Sequence, residues 1–297
     1  MADLEQACQW LREHGRPIDQ ALVEFAVSND PAPVLADLSM YQNSDGGFGQ
    51  ALEPDVRLAD SSVLATTIAL QILTQCNVEA SDHLVRGAMG YLDAAFDEQT
   101  RAWPIVPNNV TEAAHAPWWQ VRPPGECLIN PRAEIVAYMY VWPENSDGQL
   151  RTKLTAELMK TLADATTLEM HDVLVFNRLL RTPNFPRQEH RQQSEHFYAL
   201  AKSLVATTPE EWQSYGLTPL SLIDAPDHPL AAPMDHALRD NFQHLNRTQC
   251  EDGSWASPWT WHGAFDDKWP DAELDIKSLV TRENVNLYRR FSHLITD

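Results

Sequence analysis

The chain has 297 residues, 43% of them apolar and 22% charged, which is enough for a sizeable core and ordinary for a globular protein. Its formal net charge of −20 repels phosphate backbones and anionic lipid, so nucleic acid and membrane surfaces are not expected partners. The first residues carry no basic, apolar leader, and no apolar run reaches the ~18 residues of a membrane span. Cys8, Cys76, Cys127 and Cys250 are scattered without a Cys-x-x-Cys pair. They suggest neither a zinc site nor a redox pair, and fit the reducing cytoplasm.

The first marked element is the turn Gln42-Asn43-Ser44-Asp45-Gly46-Gly47-Phe48. Glu53-Pro54-Asp55 follows it, and Ser61-Ser62 then offers a cap for a helix. From Val63 to Leu73 only Thr66, Thr67 and Gln71 are polar, so this helix belongs in an interior. Leu84, Ala88, Leu92 and Phe96 recur every four residues and predict an amphipathic helix. A long non-helical stretch, Ala102 to Ile129, contains His115, Trp118 and Trp119.

Asn130-Pro131 places a capping residue before a proline at the first helical position. Ala133 to Trp142 has Glu134 as its only charge and reads as a second interior helix. Leu150, Leu154, Leu158 and Leu162 mark another amphipathic one. Asp172 is expected to cap a third interior helix, Val173 to Leu180, with His171 beside it. Trp212 to Pro233 is a further loop, followed by the amphipathic series Met234, Leu238, Phe242, Leu245. The first turn then recurs as Gln249-Cys250-Glu251-Asp252-Gly253-Ser254-Trp255, ahead of an aromatic-rich loop, Ala256 to Asp271, holding Trp259, Trp261 and His262.

Amphipathic helices alternating with helices apolar on all sides predict an all-α, two-layer assembly. Strand signals are weak. An α/α toroid, two concentric rings of antiparallel helices in one domain over residues 1–297, satisfies the pattern. An open superhelical array of helix pairs would also satisfy it. The ring is preferred because the repeated turn lies near both ends of the chain.

The turn Gln-x-x-Asp-Gly-x-Trp at Gln249 to Trp255, with a Phe variant at Gln42 to Phe48, resembles the QW repeat of the terpenoid cyclase and protein prenyltransferase superfamily. The resemblance implies an α/α toroid and a hydrophobic, isoprenoid-type small molecule in its central cavity. It also implies a bracing role for Gln42, Asp45, Gln249, Asp252 and Trp255. The superfamily's chemical motifs do not follow. Phe265-Asp266-Asp267 and Asp271-Ala272-Glu273 do not fit an Asp-x-Asp-Asp acid, and Asp266-Asp267-Lys268-Trp269-Pro270-Asp271 misses Asp-Asp-x-x-Asp by one residue. No cysteine has an aspartate two residues before it, so no cofactor or metal is expected.

The candidate catalytic residues are Glu53, Asp55, His115 and His171, which place carboxylates and imidazoles where a toroid's inner helices begin. Trp118, Trp119 and Trp261 are candidates for an aromatic ligand wall. Arg132 and Glu134 are candidates for polar ligand contacts, because charge on an interior helix is costly unless paired or facing a cavity. A carbohydrate-active toroid using paired carboxylates, and a non-catalytic binding or scaffold protein, are the alternatives. Oligomeric state is left open.

Overall fold

A computed structural model describes residues 1–122 and 129–295. Cys127 and part of the long stretch after Ala102 lie outside the described residues. The protein is all-α, with thirteen α-helices among the described residues: α1 (Leu4–His14), α2 (Pro17–Ser28), α3 (Ala32–Ser39), α4 (Val63–Gln75), α5 (His83–Ala95), α6 (Ile129–Val141), α7 (Gly148–Asp164), α8 (Met170–Arg181), α9 (Arg191–Leu204), α10 (Pro219–Leu222), α11 (Asp235–Thr248), α12 (Trp269–Arg290) and α13 (Ser292–Ile295). Extended pairing among these residues is confined to isolated bridges, such as Val56 opposite His115. None of the helices is long and apolar enough to cross a membrane.

The chain divides into two compact units, Leu38–Leu200 and a second made of Met1–Asp37 with Ala201–Asp297. In the first, α4, α6 and α8 pack on one another, with α5 against α4 and α7 against α6. Burial follows composition. Every residue of α6 from Pro131 to Met139 is buried, whereas α5 and α7 bury only stripes such as Leu84, Ala88, Leu92 and Leu154, Leu158, Leu162. Ser62 caps α4, its hydroxyl accepting from the Ala65 N–H at 3.0 Å.

The second unit is built around α12, which packs on α1 and α2. That helix begins at Trp269 with Pro270 in its first turn, so it starts inside the segment read from sequence as loop. Asp19 of α2 is 1% exposed and accepts from Arg16 Nε (2.7 Å) and Ser278 Oγ (2.8 Å), with Arg282 Nε 3.2 Å away. Burial pushes the Asp19 carboxyl up, but the two guanidiniums outweigh it and hold the group below its ordinary value.

Each unit contains one copy of the repeated turn, and the two copies make the same bonds. Gln42 Nε2 donates to Gly46 O (2.9 Å), and Gln249 Nε2 to Gly253 O (2.7 Å). Asp45 Oδ1 accepts the Gly47 N–H and Asp252 Oδ1 the Ser254 N–H, both at 3.0 Å. The aromatic residue's N–H donates to a threonine hydroxyl on the following helix, Phe48 to Thr66 (3.0 Å) and Trp255 to Thr281 (3.1 Å). Each glutamine also holds the start of another helix. Gln42 reaches Leu84 O of α5, while Gln249 bonds both the N–H and the carbonyl of Asp3, the cap of α1. Both turns are therefore braces, and the second fastens the amino-terminal helix to the last quarter of the chain.

The turns need their glycines. Gly253 has φ +89°, and a Cβ there would meet the backbone of Gln6 at 2.7 Å and Ala7 at 2.9 Å. Gly263 has nearly the same φ, +85°, but open space around it. Gly263→Ala is expected to cost only the left-handed penalty of about 1–2 kcal/mol. Gly253→Ala adds displacement of α1 and is expected to cost at least about 1 kcal/mol more. Urea unfolding of the two variants side by side measures the difference, and equal midpoints would refute the close-approach account.

Candidate functional site

The inner helices of the Leu38–Leu200 unit run in the same direction. Beyond their carboxyl ends, Trp142 Nε1 donates to Val78 O after α4 (2.9 Å), and Asn184 Nδ2 after α8 reaches Tyr140 O (3.5 Å). At the opposite side the carboxylate of Asp172, in the first turn of α8, accepts the backbone N–H of Asn130, where α6 begins. Regular helix in α6 starts at Pro131, because Asn130 is extended at φ −90°, ψ 122°. Three helix amino termini thus share one side, and their dipoles add a positive potential worth about 0.3–1 kcal/mol per helix to a nearby anion.

Two loops pack at the start of α4. Val56 bridges His115, with Arg57 N–H bonded to Ala114 O (2.9 Å) and Ala116 N–H to Asp55 O (2.8 Å). Asp55 and His115 are both buried, and Glu53 is half-buried with Oε1 3.2 Å from the Asp55 N–H. The loops therefore bring the backbones of Asp55 and His115 side by side. His115 Nδ1 lies 2.8 Å from Ala113 O, an acceptor only, so Nδ1 carries the proton and Nε2 is the basic nitrogen of the neutral ring.

Val56, Leu58, Ile105, Val106 and Val110 form a small core beneath these loops, and Leu64 of α4 and Trp119 pack on it. Trp119 contributes a buried Nε1–H with no acceptor among the described residues. Trp118 is 42% exposed. Of the two adjacent tryptophans, one anchors the loop and the other presents a ring to solvent. Trp261 belongs to the other unit, where it is 1% exposed between the rings of Phe265 and Trp269. Trp259, two residues earlier, pairs instead with Tyr215.

Arg132 and Glu134 have protein partners. Arg132 forms an ion pair with Glu157 of α7, which also pairs with Arg101. Glu134 ties the inner helices together: Oε1 accepts from Gln71 Nε2 of α4 (2.8 Å) and from the Tyr138 hydroxyl, and Oε2 lies 3.3 Å from Arg178 Nη1 of α8. Arg178 Nη2 in turn donates to Gln71 Oε1 (3.2 Å). Burial, with the Glu134 charge beside it, pushes the Tyr138 phenol well above its ordinary value. Glu134 and Tyr138 are buried, while Gln71 and Arg178 reach a half-covered surface: Leu64, Ile68 and Gln71 on α4, and His171, Leu174 and Arg178 on α8, are all half-buried.

His171 sits in the first turn of α8 with Nδ1 2.9 Å from Glu169 Oε1. Glu169 is the helix cap, its Oε2 accepting the His171 N–H at 2.8 Å. This corrects the expectation that Asp172 caps the helix. Asp172 is instead a half-buried carboxyl in the first turn, and burial together with the Glu169 charge raises it above its ordinary value despite the Asn130 N–H. Sequence reading passed over it because an aspartate before Val173 explains itself as a cap. The signal was present three residues earlier, in a second acid able to take that role.

Among the described residues no group of three or more His, Cys, Asp or Glu side chains is placed to hold a metal ion. No protein-family model matches the chain, and no curated protein is significantly similar to it.

The raised Asp172 carboxyl has a consequence for stability. A carboxyl raised in the folded state favours folding while protonated, fully so below its unfolded value of about 3.9, and loses that contribution as pH climbs through the folded value. Asp172→Asn keeps an oxygen for the Asn130 N–H and removes the titration. The variant is expected to gain stability over the parent at pH 7 and to lose that gain below about pH 4. Urea midpoints from pH 3.5 to 7.5 test this; a difference that does not change with pH would refute it.

Proposed function

We propose that this protein is an α/α-toroid enzyme acting by acid–base chemistry on a polyhydroxylated, carbohydrate-type small molecule at the amino-terminal side of α4, α6 and α8. The observation that carries the substrate class is the polar pair Gln71 and Arg178 on the half-covered face of α4 and α8, backed by buried Glu134 and Tyr138. A cavity for a hydrocarbon chain is lined by apolar and aromatic groups, since each unmatched polar group against it costs about 1–3 kcal/mol. Hydroxyl groups of a sugar exchange hydrogen bonds with such a network at little cost.

The roles follow from the environments. Asp172, whose carboxyl is raised, is the proton donor, and Asp55 with Glu53 supplies the second acidic group. The exposed ring of Trp118 stacks on the apolar face of the sugar. His115 and His171 are auxiliary proton carriers through Nε2.

A second reading keeps the same ring and site but takes an isoprenoid-type molecule. The two bracing turns favour it, because they resemble those of the terpenoid cyclase and prenyltransferase superfamily down to the glutamine and aspartate side chains.

Thermal unfolding with neutral sugars, sugar acids and prenyl diphosphates separates these readings. A ligand at a hundred times its Kd stabilises by about 2.7 kcal/mol, so a true ligand raises Tm by several degrees. The expected result is a rise with a sugar that is lost in Asp55→Asn and Asp172→Asn. A rise with prenyl diphosphates alone transfers the assignment to the second reading. No rise with any of them leaves the protein a non-catalytic scaffold.

A further inference from the structure

We infer that the polar end of the half-covered face of α4 and α8 holds a carboxylate, so that the sugar bound there is an acidic one of the uronic acid class; the assignment rests on the carbohydrate reading of the same site. The face has a direction. His171, Leu174 and Arg178 recur at helical spacing along α8, as do Leu64, Ile68 and Gln71 along α4, so each set lies on one side of its helix. Each row runs from the amino-terminal side over aliphatic groups to a nitrogen donor. Arg178 Nη2 joins the two rows by its bond to Gln71 Oε1 (3.2 Å). The helix rises about 10 Å from His171 to Arg178, which is room for one sugar ring with its carboxylate.

The polar end is rich in donors. Glu134 is buried behind it, with Oε1 accepting from Gln71 Nε2 and the Tyr138 hydroxyl, and Oε2 facing Arg178 Nη1. Gln71 Oε1 accepts from Arg178 Nη2. What the amide and the guanidinium turn outward is mainly N–H, because together they carry more donors than one buried acid can take up. The Arg178 side chain is 39% exposed, so part of its planar fork faces solvent. A sugar hydroxyl is accommodated here, but it must also place its own hydrogen, and the Gln71 oxygen already holds a guanidinium. A carboxylate brings acceptors only and meets such a fork two bonds at a time. Glu134 fixes the guanidinium before a ligand arrives, so little side-chain freedom is lost on binding. The net charge of −20 opposes an anion only weakly at this point, since exposed charges beyond about 8 Å are screened at physiological salt.

The test is calorimetric titration of the whole protein with D-glucuronate and D-galacturonate, with glucose and galactose as neutral counterparts and cyclohexanecarboxylate as an acid without hydroxyls. At least one uronate is expected to bind about tenfold more tightly than its neutral counterpart, and more weakly as salt rises. Arg178→Lys keeps a positive charge beside Glu134 but loses the planar fork, and should remove most of the uronate preference. Should that variant fail to fold, Gln71→Met gives the same comparison, because it removes the amide donor and leaves the charges in place. A uronate bound no more tightly than its neutral sugar, or a preference undiminished in both variants at parental Tm, overturns the carboxylate assignment and leaves the carbohydrate reading standing. Cyclohexanecarboxylate bound as tightly as the uronates, with the same loss in the variants, supports the carboxylate site and overturns the carbohydrate reading. No binding of any of these compounds at about 10 mM overturns both.

Discussion

In each unit a glycine backbone has to pass within a side chain's breadth of a second helix, and the remaining contacts of the turn depend on that approach. Gly46 lies against Gly87 of α5, where an added Cβ would meet a carbonyl oxygen at 2.6 Å, and Gly253 lies against the first turn of α1. Only at this separation does the neighbouring glutamine reach the helix start, and only then does the aromatic N–H meet its threonine. Left-handed φ values of +86° and +89° exclude other residues at both positions on conformational grounds as well. The turn's stability is thus shared among a steric term, a glutamine bridge and an aspartate that fastens its own loop.

Fixing the helix starts has an electrostatic consequence in the Leu38–Leu200 unit. With α4, α6 and α8 parallel, unpaired N–H groups gather at one side and unpaired carbonyls at the other. The acids Asp55, Glu169 and Asp172 belong to the amino-terminal side, where the dipoles favour negative charge. One of them, Asp172, is nevertheless raised, because burial and Glu169 outweigh that help. Further along the same helices, Glu134 is deeply buried yet fully engaged, so it holds the three helices together.

Legibility from sequence differed from residue to residue for physical reasons. The interior of α6 was readable because a helix buried on every side must be apolar on every side, and α4 and α8 were readable as largely apolar helices that each leave one face half-covered. Ser62 was readable as a cap because its hydroxyl bonds three residues away. The start of α12 was not, since Trp269-Pro270-Asp271 sits in a run of aromatic and acidic residues that reads as loop, while the helix face that buries it is decided by α1 and α2. Asp172 was misread as a cap because two acids three residues apart offer the same local chemistry, and only the backbone path distinguishes them. Arg132 and Glu134 were readable as charges that need a partner or a cavity, but that the Arg132 partner is Glu157 of α7, twenty-five residues on, depends on how α7 packs.

Composition and periodicity alone determined that the chain is helical, which of its helices lie inside, and where its two bracing turns fall, because each of these depends on residues within one or two turns of each other. Tertiary structure alone decided which acid is raised above its ordinary value, which arginine is already paired, and which tryptophan reaches solvent. Those properties depend on what approaches a side chain from another helix, and no spacing along a single segment encodes that distance.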